Sequence, residues 1–132
     1  RPKWNQNAII IAGNSTSALS AVQIIGPVGI FIDQYDSLYV ADHLNHQIQK
    51  FVQGSNIGIT VAGGNGRGNA SGQLDAPSDV FLDSLGNMFT NNYGNPQIQK
   101  CTVNSTESVT VIDGTGQQRR FYGVFVDKLG EI

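Results

Sequence analysis

The chain is poor in charged residues. Of its 132 residues, 14% are Asp, Glu, Lys or Arg, against roughly 25% in an ordinary globular domain. The net charge at pH 7 is −2, which gives no general attraction to phosphate backbones or anionic membranes. No apolar stretch approaches the ~20 residues that a membrane-spanning helix needs. These shortages disfavour a basic nucleic-acid-coating protein and a helical membrane protein.

Cysteine and helical periodicity are also scarce. Cys101 is the only cysteine, which excludes a disulfide within the chain, and we expect a small buried apolar side chain there. No stretch carries a sustained apolar stripe with a period of 3.6 residues, so α-helix is nearly excluded. Polarity comes from Asn, Gln, Ser, Thr and 16 Gly residues. That composition is typical of many short strands joined by tight turns.

An internal repeat is the most informative feature that is present. The tetrapeptide QIQK begins at Gln47 and again at Gln97, fifty positions later. The same shift superposes further identical pairs, among them Pro27 on Pro77, Phe31 on Phe81, Asp33 on Asp83 and Asn45 on Asn95. A third, partial copy, GVFVDKLGEI, begins at Gly123, and its Phe125 and Asp127 match Phe81 and Asp83. A period of this length predicts one structural unit stacked on copies of itself.

Each repeat predicts four short strands, which makes the fold class all-β. In the first full copy they are VGIFID (Val28 to Asp33), SLYVAD (Ser37 to Asp42), HQIQKFV (His46 to Val52) and IGITVAG (Ile57 to Gly63). The first strand is apolar at nearly every position, so we expect it to be covered on both faces. The third alternates, with polar Gln47 and Gln49 around Ile48, which indicates a place farther from the centre.

Four antiparallel strands every fifty residues are typical of a β-propeller blade, and blades pack face to face around an axis. We therefore predict an incomplete propeller over residues 1–132: an outer strand and loop in 1–26, full blades in 27–76 and 77–122, and the start of a further blade in 123–132. A propeller usually has about four to eight blades. Either the chain is a fragment of a longer protein, which we favour, or copies associate to complete the ring. The strand near Ile9 to Ala12 either closes the final blade of the full protein or belongs to an earlier blade.

The pattern resembles the NHL repeat. The residues that carry the resemblance in the first copy are Pro27, Gly29, Asp33, Tyr39, Ala41, Asp42, Asn45, His46 and Ile48. The second copy departs from it, with Asp79, Asn92 and Pro96 in place of Gly29, Asp42 and His46. Two other repeat types fit less well, because the single Trp4 gives no Trp-Asp repeat and Gly63-Gly64 lacks the aromatic pattern of a kelch blade.

The resemblance implies several functions for a propeller of this kind. Some NHL-type propellers bind single-stranded RNA, some recognise the target beside ubiquitin-ligase modules, and some are lyases with metal-bound histidines. His43 and His46 are the only histidines, whereas zinc sites need three or four convergent ligands. Their counterparts in the second copy are Tyr93 and Pro96. We therefore predict no metal, no cofactor and no catalytic residue, although a lyase site completed by other blades stays open.

Three other patterns have both a chemical and a structural interpretation. Asp33, Asp83 and Asp127 suggest a ring of carboxylates for calcium, but each closes a strand before a turn, where Asp commonly caps its own backbone. The capping interpretation is favoured. The glycine-rich segment GGNGRG lacks the Lys-[Ser/Thr] ending of a phosphate loop and enters no helix. Nothing arranges Ser, His and Asp as a catalytic triad.

The sequence contains three N-x-[ST] glycosylation motifs, at Asn14, Asn69 and Asn104. The content of Asn, Ser and Thr would give about one or two by chance, and all three lie in predicted loops, where glycans are added. This mild excess favours a secreted or cell-surface setting.

Function in a propeller usually lies in the loops at the two faces of the disc. We predict a non-enzymatic scaffold that binds a protein or glycan ligand. The candidate binding residues are His43, Asn45, His46, Arg67, Asn92, Tyr93, Arg119 and Arg120. RNA is the alternative, for which Arg67, Arg119 and Arg120 provide a weak electrostatic footprint. Membrane insertion is not expected, and further partners are the remaining blades of a longer chain or other copies.

The two outermost sheet faces are expected to expose apolar side chains such as Phe31, Tyr39 and Phe125. Exposed apolar patches of this kind promote association. We therefore predict that the chain behaves poorly as a monomer.

Overall fold

The computed structural model describes residues 3, 7, 9–13, 23–103, 105, 107–116 and 121–132. This part of the chain forms two four-stranded antiparallel sheets, each in the order of the sequence. The first sheet contains β1 (Pro27–Ile32), β2 (Leu38–Asp42), β3 (Gln47–Phe51) and β4 (Ile59–Gly63). The second contains β5 (Pro77–Leu82), β6 (Met88–Asn92), β7 (Gln97–Cys101) and β8 (Ser108–Asp113). The all-β prediction is confirmed.

The only helical element in the described residues is one 3₁₀ turn, His43–Asn45. It lies within the predicted polar turn between β2 and β3. It ends at His46, which has a φ of 54°, in the left-handed region. The single turn reverses the chain and does not interrupt either strand.

The two sheets have the same strand register, displaced by fifty positions. Ile30 pairs with Val40 in the first sheet, and Val80 pairs with Thr90 in the second. Even the irregularities recur, because the pairing of the third and fourth strands shifts after Ile48 and again after Ile98. Since a one-residue slip would turn every side chain to the other face, the shared register explains why the two copies keep the same apolar positions.

The sheets pack face to face, and we call the side of each sheet that contacts the next unit its forward face and the opposite side its rear face. A buried cluster joins the forward face of the first sheet to the rear face of the second. It contains Tyr39, Ala41 and Ile48 from the first sheet, Val80, Met88 and Cys101 from the second, and Leu74 from the loop between them. Packing of this kind covers the apolar side of a sheet that cannot bury it alone.

The third copy packs as the repeat predicts but forms no strand. Val124 and Val126 are buried against Phe89 and Ile98, on the forward face of the second sheet. The structure assigns no strand to residues 121–132, so the predicted inner strand from Gly123 is wrong at the level of secondary structure. A strand needs a hydrogen-bonded neighbour, and the described residues offer none beside this segment.

Residues 9–13 also form no strand, although the sequence predicts an outer strand near Ile9 to Ala12. Ile9 and Ile10 are about four-fifths exposed, at 80% and 79%. Ala12 nevertheless packs, with Ile24, against the cluster formed by Leu38, Val40 and Phe51 on the rear face of the first sheet. The segment therefore packs against the first sheet without forming the predicted strand.

The expected burial of β1 is wrong on its rear face. Val28, Ile30 and Ile32 are 59%, 62% and 56% exposed, because nothing in the described part of the chain covers them. The expected exposure of Phe31 and Tyr39 is wrong for the opposite reason, since both face the second sheet and Tyr39 is buried in the shared cluster. Phe125 is exposed as predicted.

The turn-capping interpretation of the repeated aspartates is confirmed. Asp33 Oδ1 accepts hydrogen bonds from the backbone N–H groups of Tyr35 and Ser37. Asp83 Oδ1 accepts from the corresponding two residues of its own turn, and so does Asp127 Oδ1. Each of the three carboxylates caps its own turn, and together they do not form a ring.

Cys101 is buried and unpaired, as predicted. Burial raises the pKa of its thiol, because the charged thiolate is disfavoured away from water. Within the described residues, no helix has the length and apolar character needed to cross a membrane.

Candidate functional site

One end of the sheets collects most of the predicted site residues, and we call it the loop end. It is formed by the β2–β3 turn, the β6–β7 turn and the loop of residues 64–76. Backbone hydrogen bonds tie these segments together, from Leu44 N to Ile25 O and, fifty positions on, from Gly94 N to Asp75 O. The loops are thus held in equivalent places by equivalent bonds.

Asp42 organises the loop end of the first sheet. Its carboxylate is fully buried, and its Oδ1 accepts from the backbone N–H of Ile25 at 2.8 Å. Its Oδ2 accepts three side-chain amides, from Asn45 at 2.8 Å, Gln47 at 2.9 Å and Gln49 at 3.3 Å. A buried carboxylate is tolerated when such donors surround it. Of the two Gln donors, Gln49 is buried and Gln47 is half-buried.

Asn92 occupies the same position in the second sheet and makes fewer bonds. It is fully buried, and its Oδ1 accepts from the backbone N–H of Asp75 at 3.3 Å. Its Nδ2 has no hydrogen-bond partner in the structure as described. The side chain therefore supports the loop from below and presents no group at the surface.

An aromatic row crosses the loop end. The ring centroids of His43 and Tyr93 are 5.8 Å apart, and those of Tyr93 and Tyr122 are 5.6 Å apart. Tyr122 is 72% exposed, while His43 and Tyr93 are half-buried. Tilted and edge-to-face contacts of this kind are favourable. The row joins the two sheets and the third copy into one continuous aromatic surface.

Both histidines are fixed by backbone groups, in opposite tautomers. His43 Nδ1 lies 3.1 Å from the Pro77 carbonyl oxygen, which only accepts, so Nδ1 carries the hydrogen and Nε2 of the neutral ring is an acceptor. His46 Nδ1 accepts from the Ala76 N–H at 3.0 Å, so its hydrogen is on Nε2. His43 thus offers an acceptor nitrogen within the aromatic row.

Asp75 links the turn to the long loop. Its Oδ1 accepts from Arg67 Nε at 2.7 Å and lies 3.9 Å from His46 Nδ1. The second distance gives an ion pair only if His46 is protonated, and protonation would remove the acceptor that holds Ala76. The short bond to Arg67 is therefore the main partner of this buried carboxylate. It also engages a guanidinium that is otherwise 67% exposed.

The predicted site residues fall into three groups. His43, Tyr93 and Arg67 lie at the surface of the loop end, whereas Asn45 and His46 hold its turns and Asn92 supports it from within. Arg119 and Arg120 lie outside the described residues, as do the glycosylation motifs at Asn14 and Asn104. Asn69 is exposed in the long loop.

Two important residues were missed by the sequence reasoning. Tyr122 has no aromatic counterpart fifty positions away, so the repeat gave no signal for it. Asp75 was hidden in a glycine-rich loop, although its place just before the repeated proline could have drawn notice. The described residues contain no group of three or more His, Cys, Asp or Glu side chains able to hold a metal ion.

The opposite end of the sheets has a groove of about 550 Å³ between the first two aspartate turns. Asp33 and Lys50 line it, with Asp33 Oδ2 lying 3.9 Å from Lys50 Nζ and accepting from the Tyr39 hydroxyl at 3.3 Å. Burial alone would raise the pKa of Asp33, but the N–H donors of Ser37 and Tyr35 and the Lys50 charge together lower it below its ordinary value. A carboxylate and an ammonium group thus lie side by side at this end of the sheets.

Comparison with known proteins gives no family. No protein-family model matches the chain, and no curated protein matches it significantly.

Proposed function

We propose that the chain is a non-enzymatic binding module, in which NHL-type blades packed around a common axis recognise a protein or glycan through the loop end. Support for the blade arrangement comes from the packing of the forward face of the first sheet on the rear face of the second. Phe31, Phe81 and Phe125 also form a row, with successive ring centroids 5.2 and 5.1 Å apart. These are the same position of three successive copies. A repeat stacked by one operation is the expected behaviour of such units.

The observation that carries the binding proposal is the aromatic row of His43, Tyr93 and Tyr122. Aromatic side chains supply a large contact area at low entropic cost, and this row is held from below by the bonds of Asp42 and Asn92. Rigid support of exposed aromatics is typical of binding surfaces.

Charge favours an uncharged or weakly charged ligand. The cation that the loop of residues 64–76 contributes to the loop end is Arg67, and its charge is offset because its Nε is bonded to Asp75 Oδ1 at 2.7 Å. Sugar rings and apolar patches of proteins both stack on aromatic faces, and the polar groups beside the row can then accept or donate hydrogen bonds. Single-stranded RNA would also stack on aromatics, but it needs cations along its backbone. Of the three arginines predicted for this face, Arg67 is the one within the described residues, and its Nε is already bonded to Asp75.

The test is a glycan array and a panel of extracellular proteins, both probed with the chain and with two tyrosine variants. Tyr122→Ala removes the exposed end of the row, and Tyr35→Ala is the matched control, because Tyr35 is equally exposed, at 73% against 72%, and lies in the Asp33 turn. We expect binding that Tyr122→Ala weakens about tenfold or more and that Tyr35→Ala leaves unchanged.

Oligouridylate, titrated at low salt and at about 0.15 M salt, separates the RNA alternative. Tight, strongly salt-dependent binding of this probe with no glycan or protein ligand would overturn the proposal. Equal losses from the two tyrosine variants would overturn the assignment of the site.

A further inference from the structure

The rear face of the first sheet is covered over only part of its width. At β2 and β3, Leu38, Val40 and Phe51 lie beneath Ala12 and Ile24. At β1, by contrast, Val28, Ile30 and Ile32 are 59%, 62% and 56% exposed. A groove of about 600 Å³ runs between Ile10 and Ile11 on one side and Ile32 and Leu38 on the other. The bare part is therefore a continuous apolar strip along β1.

The second sheet shows what covers this strip when the repeat is complete. Its equivalent residues Ser78 and Val80 are 3% and 2% exposed, because the forward face of the first sheet lies on them. Phe31 is part of that cover and meets Phe81 at 5.2 Å between ring centroids. The natural neighbour of the rear face of β1 is thus a first strand of the same repeat, presenting its phenylalanine.

The covered part of the rear face follows the same rule. Ala12 and Ile24 take the places that Ala62 and Leu74, fifty positions later, take against the second sheet. Residues 9–13 and 24 therefore occupy the positions of the fourth strand and following loop of a preceding unit, although residues 9–13 form no strand. The described residues provide no preceding first strand.

One segment of the chain has the sequence of a first strand, and its outward side is uncovered in the described structure. In residues 121–127, Val124 and Val126 are buried against the second sheet, whereas Phe125 is 68% exposed. Phe125 is the last ring of the row, 5.1 Å from Phe81. Its sequence, FYGVFV before Asp127, contains no charge, and neither does β1. The two surfaces can meet without desolvating an ion.

We propose that copies of the chain associate head to tail, with Phe125 of one copy seated on Val28, Ile30 and Ile32 of the next. This contact between two copies has the same geometry as the packing between the first and second sheets within one copy. The two surfaces differ, so the contact is heterologous and can extend to further copies or close into a ring. Only the segment of residues 123–127 and the rear face of β1 meet, so the interface is narrow and the association is weak.

The test is sedimentation velocity of the 132-residue chain from about 10 µM to about 1 mM, the range where weak contacts populate. Ile30→Lys disables the rear surface, Phe125→Asp disables the forward surface, and Val109→Lys is the control, because Val109 is 64% exposed on the outer strand β8. We expect the average mass of the wild type to rise with concentration. Each of the first two variants weakens association at least about tenfold, and the control leaves it unchanged.

Mixing the two disabled variants distinguishes the geometry. Each retains one working surface, so head-to-tail contact predicts a one-to-one dimer that grows no further, while each variant alone stays monomeric. Val28→Lys replaces Ile30→Lys if circular dichroism shows that the latter does not fold. A wild type that is monomeric at the highest concentration would overturn the proposal, and so would a Phe125→Asp variant that associates like the wild type.

Discussion

The two sheets share one backbone frame and differ in the polar groups beneath the loop end. Asp42 and Asn92 stand at the same position, and each accepts the backbone N–H of the residue seventeen positions earlier. Only Asp42 gathers three side-chain amides as well. The shared backbone bond is thus what the repeat requires, and the buried charge is a local addition that rigidifies the first turn.

The largest expected effect on stability comes from removing the Asp42 carboxylate. Asp42→Ala removes the acceptor of one backbone N–H and of the Asn45 and Gln47 amides, and leaves Gln49 Nε2 with a bond of 3.4 Å to the Gln23 carbonyl oxygen. We expect it to lower the free energy of unfolding by about 3–5 kcal/mol. Asn92→Ala removes one bond, at a cost of about 1–2 kcal/mol. Urea unfolding of both variants measures the difference. Equal losses would show that the amide cluster around Asp42 contributes nothing beyond the shared bond.

The contact between the sheets provides the next comparison. A Cβ atom on Gly29 would lie 2.6 Å from both the Asp79 Cα and the Ser78 carbonyl oxygen, so Gly29→Ala must push two backbones apart. We expect a loss of about 1–3 kcal/mol. At the equivalent Gly123, the nearest atom is an Asp79 side-chain oxygen at 3.4 Å, and Gly123→Ala should change the stability by less than about 0.5 kcal/mol. Thermal unfolding of the pair checks the close approach, and similar melting temperatures would argue against it.

The aspartate turns need a left-handed residue at one position. Asp36 has a φ of 59° and Gly86, its counterpart, a φ of 82°. Gly86→Ala places a Cβ in this region, 3.2 Å from Val103 Cγ2, and should cost about 1–2 kcal/mol. Asp36→Gly relieves the same strain but raises the conformational entropy of the unfolded chain. Its net effect on the free energy of unfolding should therefore lie within about 0.5 kcal/mol. Denaturant midpoints separate these outcomes, and a stable Gly86→Ala variant would contradict the turn geometry.

Asn91 offers a stabilising change. It is fully buried, and neither polar atom of its side chain has a partner in the described structure, whereas the equivalent residue of the first sheet is Ala41, also fully buried. Because an unpaired buried amide costs free energy, Asn91→Ala should raise the unfolding free energy by about 1 kcal/mol. The reverse change, Ala41→Asn, should lower it. If Asn91→Ala destabilises the fold, the side-chain amide of Asn91 must have a hydrogen-bond partner, which would contradict this prediction.

The smallest expected effect depends on pH. The folded pKa of Asp33 lies below its ordinary value, so its ionised form stabilises the fold above the unfolded pKa, and that contribution disappears as the pH falls through the folded pKa. Asp33→Asn keeps the turn's acceptor oxygen but loses the attraction to Lys50. We expect a loss of less than about 1 kcal/mol at neutral pH and a smaller one near pH 3. A pH-independent difference in urea midpoints would contradict it.

The repeat predicted much of the fold because it fixes strand number, register and turn residues together. Runs of β-branched and aromatic residues and the recurring Asp located the strands of the first sheet to within about two residues. Burial of the outer faces could not be predicted in the same way, because it depends on which neighbour is present. The predictions for the rear face of β1 and for Tyr39 were wrong because the sequence does not show which neighbour covers each face.

The site was predictable where it follows the repeat and not elsewhere. His43 and Tyr93 lie fifty positions apart and in equivalent turns, so the sequence brought them together. Tyr122 lies in a shortened connection with no counterpart, and the hydrogen bonds from side-chain amides to Asp42 have no equivalent at Asn92 within the described residues, so the repeat could not indicate that network. Long-range partners such as Ile25 and Gln49 can be seen only when the chain is folded.

The most direct test of the account is the strand register of the two sheets in solution, measured by nuclear Overhauser effects between backbone protons on paired strands. The account predicts contacts between Ile30 and Val40 and, fifty positions later, between Val80 and Thr90, with the same shift after Ile48 and Ile98. Contacts that place the second copy in a different register from the first would contradict the shared frame on which both proposals depend.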